Sequence, residues 1–162
     1  LVNNAGESST GNLDDLEIWD KEFKNNFFSA VYCISEFLKQ RSSNDIGKIV
    51  NISSVYGFWE MGSPDYLQYT TSKAALSSLT CSLAKKLAPS VLVNAVAPGY
   101  TMTPGWDGSS EDELKKAKEL NRIKRFVKPE EIASMVMEII RNDAITGEVI
   151  RVDGGLHLQD IL

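Results

Sequence analysis

The sequence predicts an α/β fold in which a parallel sheet carries helices on both of its faces. Short runs rich in β-branched residues alternate along the chain with longer segments whose apolar residues repeat every three or four positions. Turn residues such as Gly and Pro bound several of these runs. The resulting order, β-α-β-α-β-α-β, is typical of parallel strands joined by right-handed crossovers.

Four buried strands are expected. The chain opens on the run LVNNAG at 1–6, which is typical of the end of a strand that leads into a turn. The later strands are predicted at 47–53, 91–96 and 147–152, each of them a short apolar run between turn residues. Because a parallel strand needs neighbours, and no initiator Met precedes the first run, we expect the sequence to be a fragment of a longer chain.

Helices are predicted in each connection. The first covers about 14–40, and its second half carries an apolar stripe at i, i+4, i+7 and i+11. The second covers about 66–87. A short charged helix over 110–121 opens with an S-x-x-E capping box. The last helix begins at Pro129, with Pro at its first position and acidic residues in its first turn.

Composition restricts the classes of partner. The net charge of −5 argues against nucleic acid or an anionic membrane as a partner. No apolar run approaches the ~20 residues of a membrane-spanning helix. Cys33 and Cys81 lie in helical patterns without a CxxC motif or a neighbouring His, so we expect two buried, reduced thiols and no metal site. No signal peptide is evident, and a cytoplasmic location follows as the default.

The unusual residues of the sequence follow the predicted strands. They lie at 3–6, 53–56, 97–103 and 153–155, or on the helix beside them. In open parallel sheets the ligand crevice is formed at the carboxyl ends of the strands. The sequence therefore predicts a site at this edge of the sheet.

Tyr69 and Lys73 are candidates for acid–base chemistry. They are spaced i, i+4 on a predicted helix, so the phenol and the ammonium share one face. A phenol has a pKa near 10, which is a poor match to neutral pH. A nearby cation stabilises phenolate, so Lys73 is expected to lower the pKa of Tyr69. The YxxxK pattern alone arises by chance in many helices.

Two further polar residues support this interpretation by their position. Ser53 and Ser54 end a predicted strand, where a hydroxyl can donate to a substrate oxygen as charge develops on it. Asn26 lies within the first long helix, just before its apolar stripe. Taken singly, a serine at a strand end is a common turn former and an Asn in a helix is usually solvated.

Together these motifs resemble the short-chain dehydrogenase/reductase family, in its single-domain branch and near 3-oxoacyl-carrier-protein reductase. The resemblance extends over the whole chain, in the family's order. The motifs are NNAG at 3–6, the helix Asn at 26, NISS at 51–54, YxxxK at 69–73, VNAVAPG at 93–99 and VDGG at 152–155.

The resemblance implies a role for each catalytic candidate. Tyr69 would protonate a carbonyl oxygen, or deprotonate the alcohol in the reverse direction, and Ser54 would hold that oxygen. Lys73 would bind the nicotinamide ribose and lower the pKa of the tyrosine. Asn26 would position a water molecule that relays protons towards Lys73.

The resemblance also implies a binding site for NAD or NADP, which Tyr69 and Lys73 would contact. The other implied cofactor residues are Asn4, Ala5 and Gly6 on the adenosine side, Pro98, Gly99 and Thr101 at the carboxamide, and Thr103 near the diphosphate. Asn4 would in addition stabilise the central strand.

The sequence departs from the family in three ways. The glycine-rich phosphate loop and the first strands lie upstream of NNAG in the family, so the expected fold is the C-terminal half of a partial doubly wound, Rossmann-like parallel sheet. The residue that selects NAD or NADP is missing with them. Ser54 and Tyr69 are slightly farther apart than usual, with the extra length in 58–65. The run SSVYG at 53–57 is similar to the epimerase and dehydratase branch, which usually lacks the other motifs.

We therefore expect residues 1–162 to form a single C-terminal part of such a domain, with a substrate lid over about 100–121. The expected reaction is hydride transfer between NAD(P) and a small-molecule carbonyl or alcohol substrate. By resemblance, the protein is expected to form a homodimer or homotetramer. The alternative is a non-catalytic half-domain, or an incomplete fragment that does not bind dinucleotide by itself.

Overall fold

The computed structural model describes residues 1–41 and 45–159. All the predicted strands and helices are present, with the predicted bounds reproduced to within two residues. The strands are β1 (Val2–Asn3), β2 (Gly47–Ile52), β3 (Val91–Pro98) and β4 (Val149–Val152). The α-helices are α1 (Leu16–Phe23), α2 (Ser29–Gln40), α3 (Leu67–Leu87), α4 (Glu111–Leu120) and α5 (Pro129–Arg141).

The four strands form one parallel sheet in the order β1-β2-β3-β4. Ile49 of β2 is opposite Val93 of β3, and Ala95 of β3 is opposite Val149 of β4. The α/β class and the parallel sheet are thus confirmed. All four strands end at the same edge of the sheet, because they are parallel.

The sheet has a separate apolar core on each face. On one face, Ile49 and Val93 pack with residues of α2 and α3, among them Ile34 and Ala84. On the other face, β2 and β3 pack against α5; this core includes Val50, Val96, Val136 and Ile139. Successive strand residues point to opposite faces, which explains why these strands are apolar without alternation.

The crossover from β3 to β4 differs in hand from the two before it. With strands in sequential order, crossovers of one hand place every helix on the same face of the sheet. Instead, α2 and α3 cover one face and α5 covers the other. The prediction that all crossovers are right-handed is therefore wrong. The long excursion through α4 allows the chain to change faces before α5 begins.

The first long helix is interrupted by a π-helical segment at Lys24–Phe28. This segment joins α1 to α2 without a break in the helical backbone, and it contains Asn26. Single π-helical turns inside α-helices often mark functional sites. The sequence predicted one continuous helix here and did not indicate the change in pitch.

The segment between β3 and α5 is closed at its base by main-chain pairing. Thr101 forms a parallel bridge with Val127, and the amide of Met102 donates to the Val127 carbonyl at 2.9 Å. Within the segment, Ser110 and Glu113 form the predicted capping box at the start of α4. The excursion therefore begins and ends beside the carboxyl edge of the sheet.

Both cysteines are free thiols, as predicted, but they are not buried: Cys33 is exposed and Cys81 is half-buried. Over residues 1–41 and 45–159, no three potential metal-ligating side chains come together. Within the same residues, every helix is too short or too polar to cross a membrane.

We predict that Ile49→Ala lowers the free energy of unfolding by about 2–5 kcal/mol, because Ile49 is fully buried between the sheet and two helices. Chemical denaturation followed by circular dichroism measures the change. Ile46→Ala is the matched control, since Ile46 is 46% exposed and should cost less than about 1 kcal/mol. Equal losses for the two variants would contradict the assignment of this core.

Candidate active site

A cleft of about 1280 Å³ lies at the carboxyl edge of the sheet. Its walls come from the segments that follow β1, β2 and β3, together with the start of α3 and one face of α5. The predicted site residues that line it are Asn4, Gly6, Ser54, Tyr69, Lys73, Pro98, Gly99, Thr101 and Thr103. Asn26 lies behind the cleft, and Ala5 is exposed near its rim without being part of its lining.

Tyr69 and Lys73 occupy the first turns of α3, on the face that meets the cleft. The Lys73 ammonium nitrogen is 5.7 Å from the centroid of the Tyr69 ring. The ammonium also donates to the carbonyl of Ile52, at 2.9 Å, where β2 ends. This bond fixes the start of α3 against the end of the strand.

The pKa of the Tyr69 phenol is raised above its usual value, because burial disfavours the phenolate. Interaction with the Ser54 hydroxyl lowers this pKa, and the negative charge of Glu22 raises it further. The expected decrease caused by Lys73 is therefore not found. The protonated phenol is the dominant form of Tyr69 at neutral pH.

Lys73 is only 4% exposed. Burial lowers the pKa of its ammonium to about 8, while the charge of Glu22 opposes this change. The lysine consequently changes its charge within a few pH units of neutrality. Such a shift at a cleft is typical of functional sites.

The two serines that follow β2 have different surroundings. Ser53 donates to the Lys73 carbonyl at 3.0 Å and is 2.7 Å from the Ser77 hydroxyl, so it connects the strand to α3. The Ser54 oxygen accepts from the amide of Tyr56 at 3.2 Å and lies beside the Tyr69 phenol. The geometry therefore favours Ser54 as the hydroxyl that serves the cleft.

Asn26 is buried between the π-helical segment and α3. Its side-chain oxygen accepts from the amide of Glu7 at 2.9 Å, and its nitrogen donates to the Glu7 carbonyl at 3.0 Å and towards Ser72 at 3.1 Å. The same nitrogen donates to the carboxylate of Glu22. Sequence reasoning missed Glu22, whose position four residues before Asn26 was the available signal.

Two glycines allow the backbone to approach other groups closely. A Cβ added at Gly6 would lie 2.9 Å from the Asn26 side-chain oxygen and 3.1 Å from the Lys73 nitrogen. A Cβ at Gly99 would lie 2.7 Å from the Cα of Asp153. The absence of side chains at these positions keeps the cleft open beside Lys73 and lets the end of β3 contact the VDGG segment.

Side-chain hydrogen bonds join β1 to β2 and β2 to α3, and they begin at Asn3. The side-chain nitrogen of Asn3 donates to the side-chain oxygen of Asn51 at 2.7 Å, and the side-chain nitrogen of Asn51 donates to the Thr80 hydroxyl at 2.9 Å. The structural role expected for Asn4 thus belongs to Asn3. Asn4 lines the cleft instead.

Aromatic side chains form one wall of the cleft, which we term the aromatic wall: Tyr56, Tyr66, Tyr100 and Trp106. The rings of neighbouring members are 5.5–6.5 Å apart, and the hydroxyls of Tyr56 and Tyr100 are 2.7 Å apart. Thr101 supports the wall because its carbonyl accepts from the Trp106 ring nitrogen at 3.1 Å.

The longer segment at 58–65 is anchored to the last strand. Arg151 of β4 forms an ion pair with Glu60, and its guanidinium lies 3.7 Å from the centre of the Phe58 ring. Both charged side chains are about a quarter exposed. This contact fixes the segment against β4.

The family described as enoyl-(acyl carrier protein) reductase matches residues 1–157. The 3-oxoacyl-(acyl-carrier-protein) reductase of Aquifex aeolicus is 41% identical over 161 residues, which cover 96% of this chain and 64% of that protein. The acetoacetyl-CoA reductase of an Acinetobacter species is 36% identical, with coverage of 98% and 65%. This chain thus spans slightly less than two thirds of the length of these relatives.

Solved structures give the same result. FolM alternative dihydrofolate reductase 1 from Brucella suis, in complex with NADP, superimposes with a TM-score of 0.88 at 30% identity, covering 98% of this chain and 64% of that one. A short chain dehydrogenase family protein from Francisella tularensis gives a TM-score of 0.85 at 29% identity, covering 98% and 70%. Since both the family match and the structural likeness extend over nearly all of its residues, the chain belongs to the short-chain dehydrogenase/reductase family.

Proposed function

We propose that this chain carries the catalytic centre of an NAD(P)-dependent oxidoreductase that reduces a carbonyl group or oxidises the corresponding alcohol. The observation that carries the proposal is the convergence of Tyr69, Ser54 and Lys73 on one cleft, although they come from two different elements. Relatives named as 3-oxoacyl-(acyl-carrier-protein) and acetoacetyl-CoA reductases support the same reaction class.

The cleft fits the nicotinamide end of a dinucleotide. The space beside Gly6, which a Cβ would fill, is bounded by the Asn26 oxygen and the Lys73 ammonium. An ammonium donates well to the hydroxyls of a ribose. NADP in the related Brucella structure supports this choice of cofactor. When bound, the cofactor supplies or accepts the hydride.

The remaining cofactor residues are proposed by their position in the cleft. Pro98, Gly99 and the backbone of Thr101 would face the carboxamide, and Thr103 would lie near the diphosphate. Asn4, Ala5 and Gly6 would be on the adenosine side. Tyr69 and Lys73 would also contact the cofactor.

The proton chemistry follows from the charge state of each residue. The phenol of Tyr69 is protonated at neutral pH, so it holds the proton that would pass to a carbonyl oxygen. Because its raised pKa also makes it a weaker acid, the phenolate that forms would need stabilisation. The Ser54 hydroxyl would donate a second hydrogen bond to that oxygen. The Lys73 ammonium would stabilise the phenolate that forms. Asn26 would position a water molecule that relays protons towards Lys73.

The substrate side of the cleft is bounded by the aromatic wall and the segment at 100–121. We assign this segment as the substrate lid, because it contributes Thr103 and Trp106 to the cleft and is tied down at its base. A homodimer or homotetramer and a cytoplasmic location stay predictions of the family resemblance.

Tyr69→Phe should reduce turnover of a carbonyl substrate by about 10²–10⁴-fold, because it removes the proton donor. Steady-state NAD(P)H oxidation measures this loss, and thermal unfolding by circular dichroism checks that the fold is intact. The control is Tyr32→Phe, since Tyr32 is 66% exposed on α2 and should keep full activity. Turnover unchanged in Tyr69→Phe would refute the assignment.

The rate of carbonyl reduction should fall as the pH rises through about 8. The pKa of Lys73 is lowered to about 8, so the ammonium is present below that pH and is lost above it. A profile of kcat/KM against pH measures this decline. In Lys73→Arg the residual activity should lack the decline near pH 8, because a guanidinium stays charged. A wild-type profile that is flat to pH 10 would contradict this role.

NADPH should bind this chain directly, and Gly6→Ala should weaken the binding by about tenfold, equivalent to ~1.4 kcal/mol. The added methyl group would press on Asn26 and Lys73. Quenching of tryptophan fluorescence measures the affinity. Gly62→Ala is the matched control, since a Cβ there meets its nearest neighbour, a Thr70 methyl carbon, at an ordinary 3.7 Å.

The alternative, a non-catalytic half-domain, predicts no NADPH binding by the folded chain. It is supported by the share of its relatives' length that this chain spans, which is slightly less than two thirds. A folded chain that gives no quenching at millimolar NADPH would support this second candidate.

A further inference from the structure

Glu22, in the last turn of α1, has 0% of its surface exposed. Carboxylates are almost never fully buried unless they are paired, because an ion loses its favourable hydration when it leaves water. None of the proposed catalytic steps uses this residue. Its burial therefore requires a separate physical explanation.

The first contact of Glu22 is with Asn26, one helical turn further on. The Asn26 nitrogen donates to the Glu22 carboxylate, and the Asn26 oxygen accepts from the amide of Glu7. An ionised carboxylate can only accept hydrogen bonds, so it requires the nitrogen of the Asn26 amide to face it. Glu22 and the main chain of Glu7 together hold the oxygen of Asn26 towards Gly6 and the space beside Lys73.

Glu22 also interacts with Lys73 through their opposite charges. The buried charged side chains among residues 1–41 and 45–159 are Glu22, Lys73 and Asp153. Asp153 accepts from the amides of Gly155 and His157 near the end of β4. On the side where α1 packs against α3, the buried anion that compensates the Lys73 ammonium is Glu22.

We infer that Glu22 is a positioning residue of the proposed proton-transfer site: its buried carboxylate helps to orient the side-chain amide of Asn26 and supplies the buried negative charge on the side of α1 that packs against α3 and Lys73. The inference rests on the proposed function for its catalytic meaning. The electrostatic link between Glu22 and Lys73 is a property of the folded chain and is measurable without turnover.

The charged and titratable groups around Glu22 are few. Glu7, on the loop after β1, pairs with Lys21 of α1 at 3.2 Å. Tyr69 and Lys73 face Glu22 from α3. Burial raises the pKa of the Glu22 carboxyl itself, hydrogen bonds from Ser9 and Asn26 oppose this change, and the negative charge of Glu7 adds to it. Loss of the Glu22 charge should accordingly lower the pKa of both Lys73 and Tyr69.

The test compares the wild type with Glu22→Gln, which keeps an acceptor for Asn26 and removes the charge. An NMR pH titration that follows the lysine ε-carbons measures the pH midpoint at which the Lys73 ammonium loses its proton. The signal of Lys73 is the one that disappears in Lys73→Arg. In Glu22→Gln this midpoint should fall below the wild-type value of about 8. Glu17→Gln is the matched control, because it removes the same charge from an exposed position of α1 and should leave the midpoint unchanged.

Turnover gives the second measurement. The decline of kcat/KM with pH should move to lower pH in Glu22→Gln, together with the Lys73 midpoint. The contrary result is a decrease in turnover while the Lys73 titration midpoint and the pH at which kcat/KM declines both stay at their wild-type values. That result would indicate a merely structural role and would overturn the inference. If the wild type has no turnover but the Lys73 midpoint moves, the proposed function fails while the link between Glu22 and Lys73 stands.

If Glu22→Gln does not fold, Glu22→Asp takes its place. The shorter side chain retains the negative charge, so the Lys73 midpoint should stay near 8. A midpoint well below 8 in Glu22→Asp would also overturn the inference.

Discussion

Lys73 donates its hydrogen bond to the Ile52 carbonyl from a position that is almost closed to solvent. An ammonium in such a position is costly unless acceptors and negative charge surround it. The neighbouring structure supplies both: the end of β2 gives the acceptor, and α1 gives the carboxylate of Glu22. The Lys73 nitrogen thereby links α3 to the end of β2 by a hydrogen bond and to α1 by charge.

The junction of β2 with α3 holds this arrangement rigidly. Ser53 donates to the Lys73 carbonyl, so strand and helix are connected through the main chain of the same residue. Gly57 allows the turn after the strand to approach: an added Cβ would lie 2.9 Å from the Lys73 carbonyl carbon. Because these contacts surround the helix at Lys73, the distance between Ser54 and Tyr69 depends little on the longer segment at 58–65. The site can thus tolerate variation in that segment.

Most of the fold and of the site could be predicted from the sequence, because the relevant signals are local. Strands and helices follow from hydrophobic period and capping residues, and the positions of Tyr69 and Lys73 follow from a single helical turn. The hand of the crossover from β3 to β4 depends on the path of the long segment between β3 and α5. No local sequence pattern encodes that path. The sequence likewise contains no pattern that indicates the π-helical turn at Asn26.

The pKa of Tyr69 was predicted in the wrong direction for a physical reason. The sequence supplies the cation at i+4, but the degree of burial and the presence of Glu22 are tertiary properties. Desolvation of the phenol raises its pKa, and the ammonium nearby does not reverse the change. The Tyr69 phenol therefore holds its proton more firmly at neutral pH than the sequence alone predicted.

The change of face between β3 and β4 has a consequence for how such a protein can diversify. A chain that leaves one side of a sheet and returns on the other must pass over the rim, and here that rim is the mouth of the cleft. The segment between β3 and α5 therefore contributes to the mouth of the cleft as a result of topology, and its two ends are fixed by the bridge between Thr101 and Val127. We expect that the residues between those ends can change in length and chemistry while the sheet and Tyr69 stay in place. The residues at the mouth of the cleft and the residues of the two apolar cores are in this way encoded in separate parts of the chain.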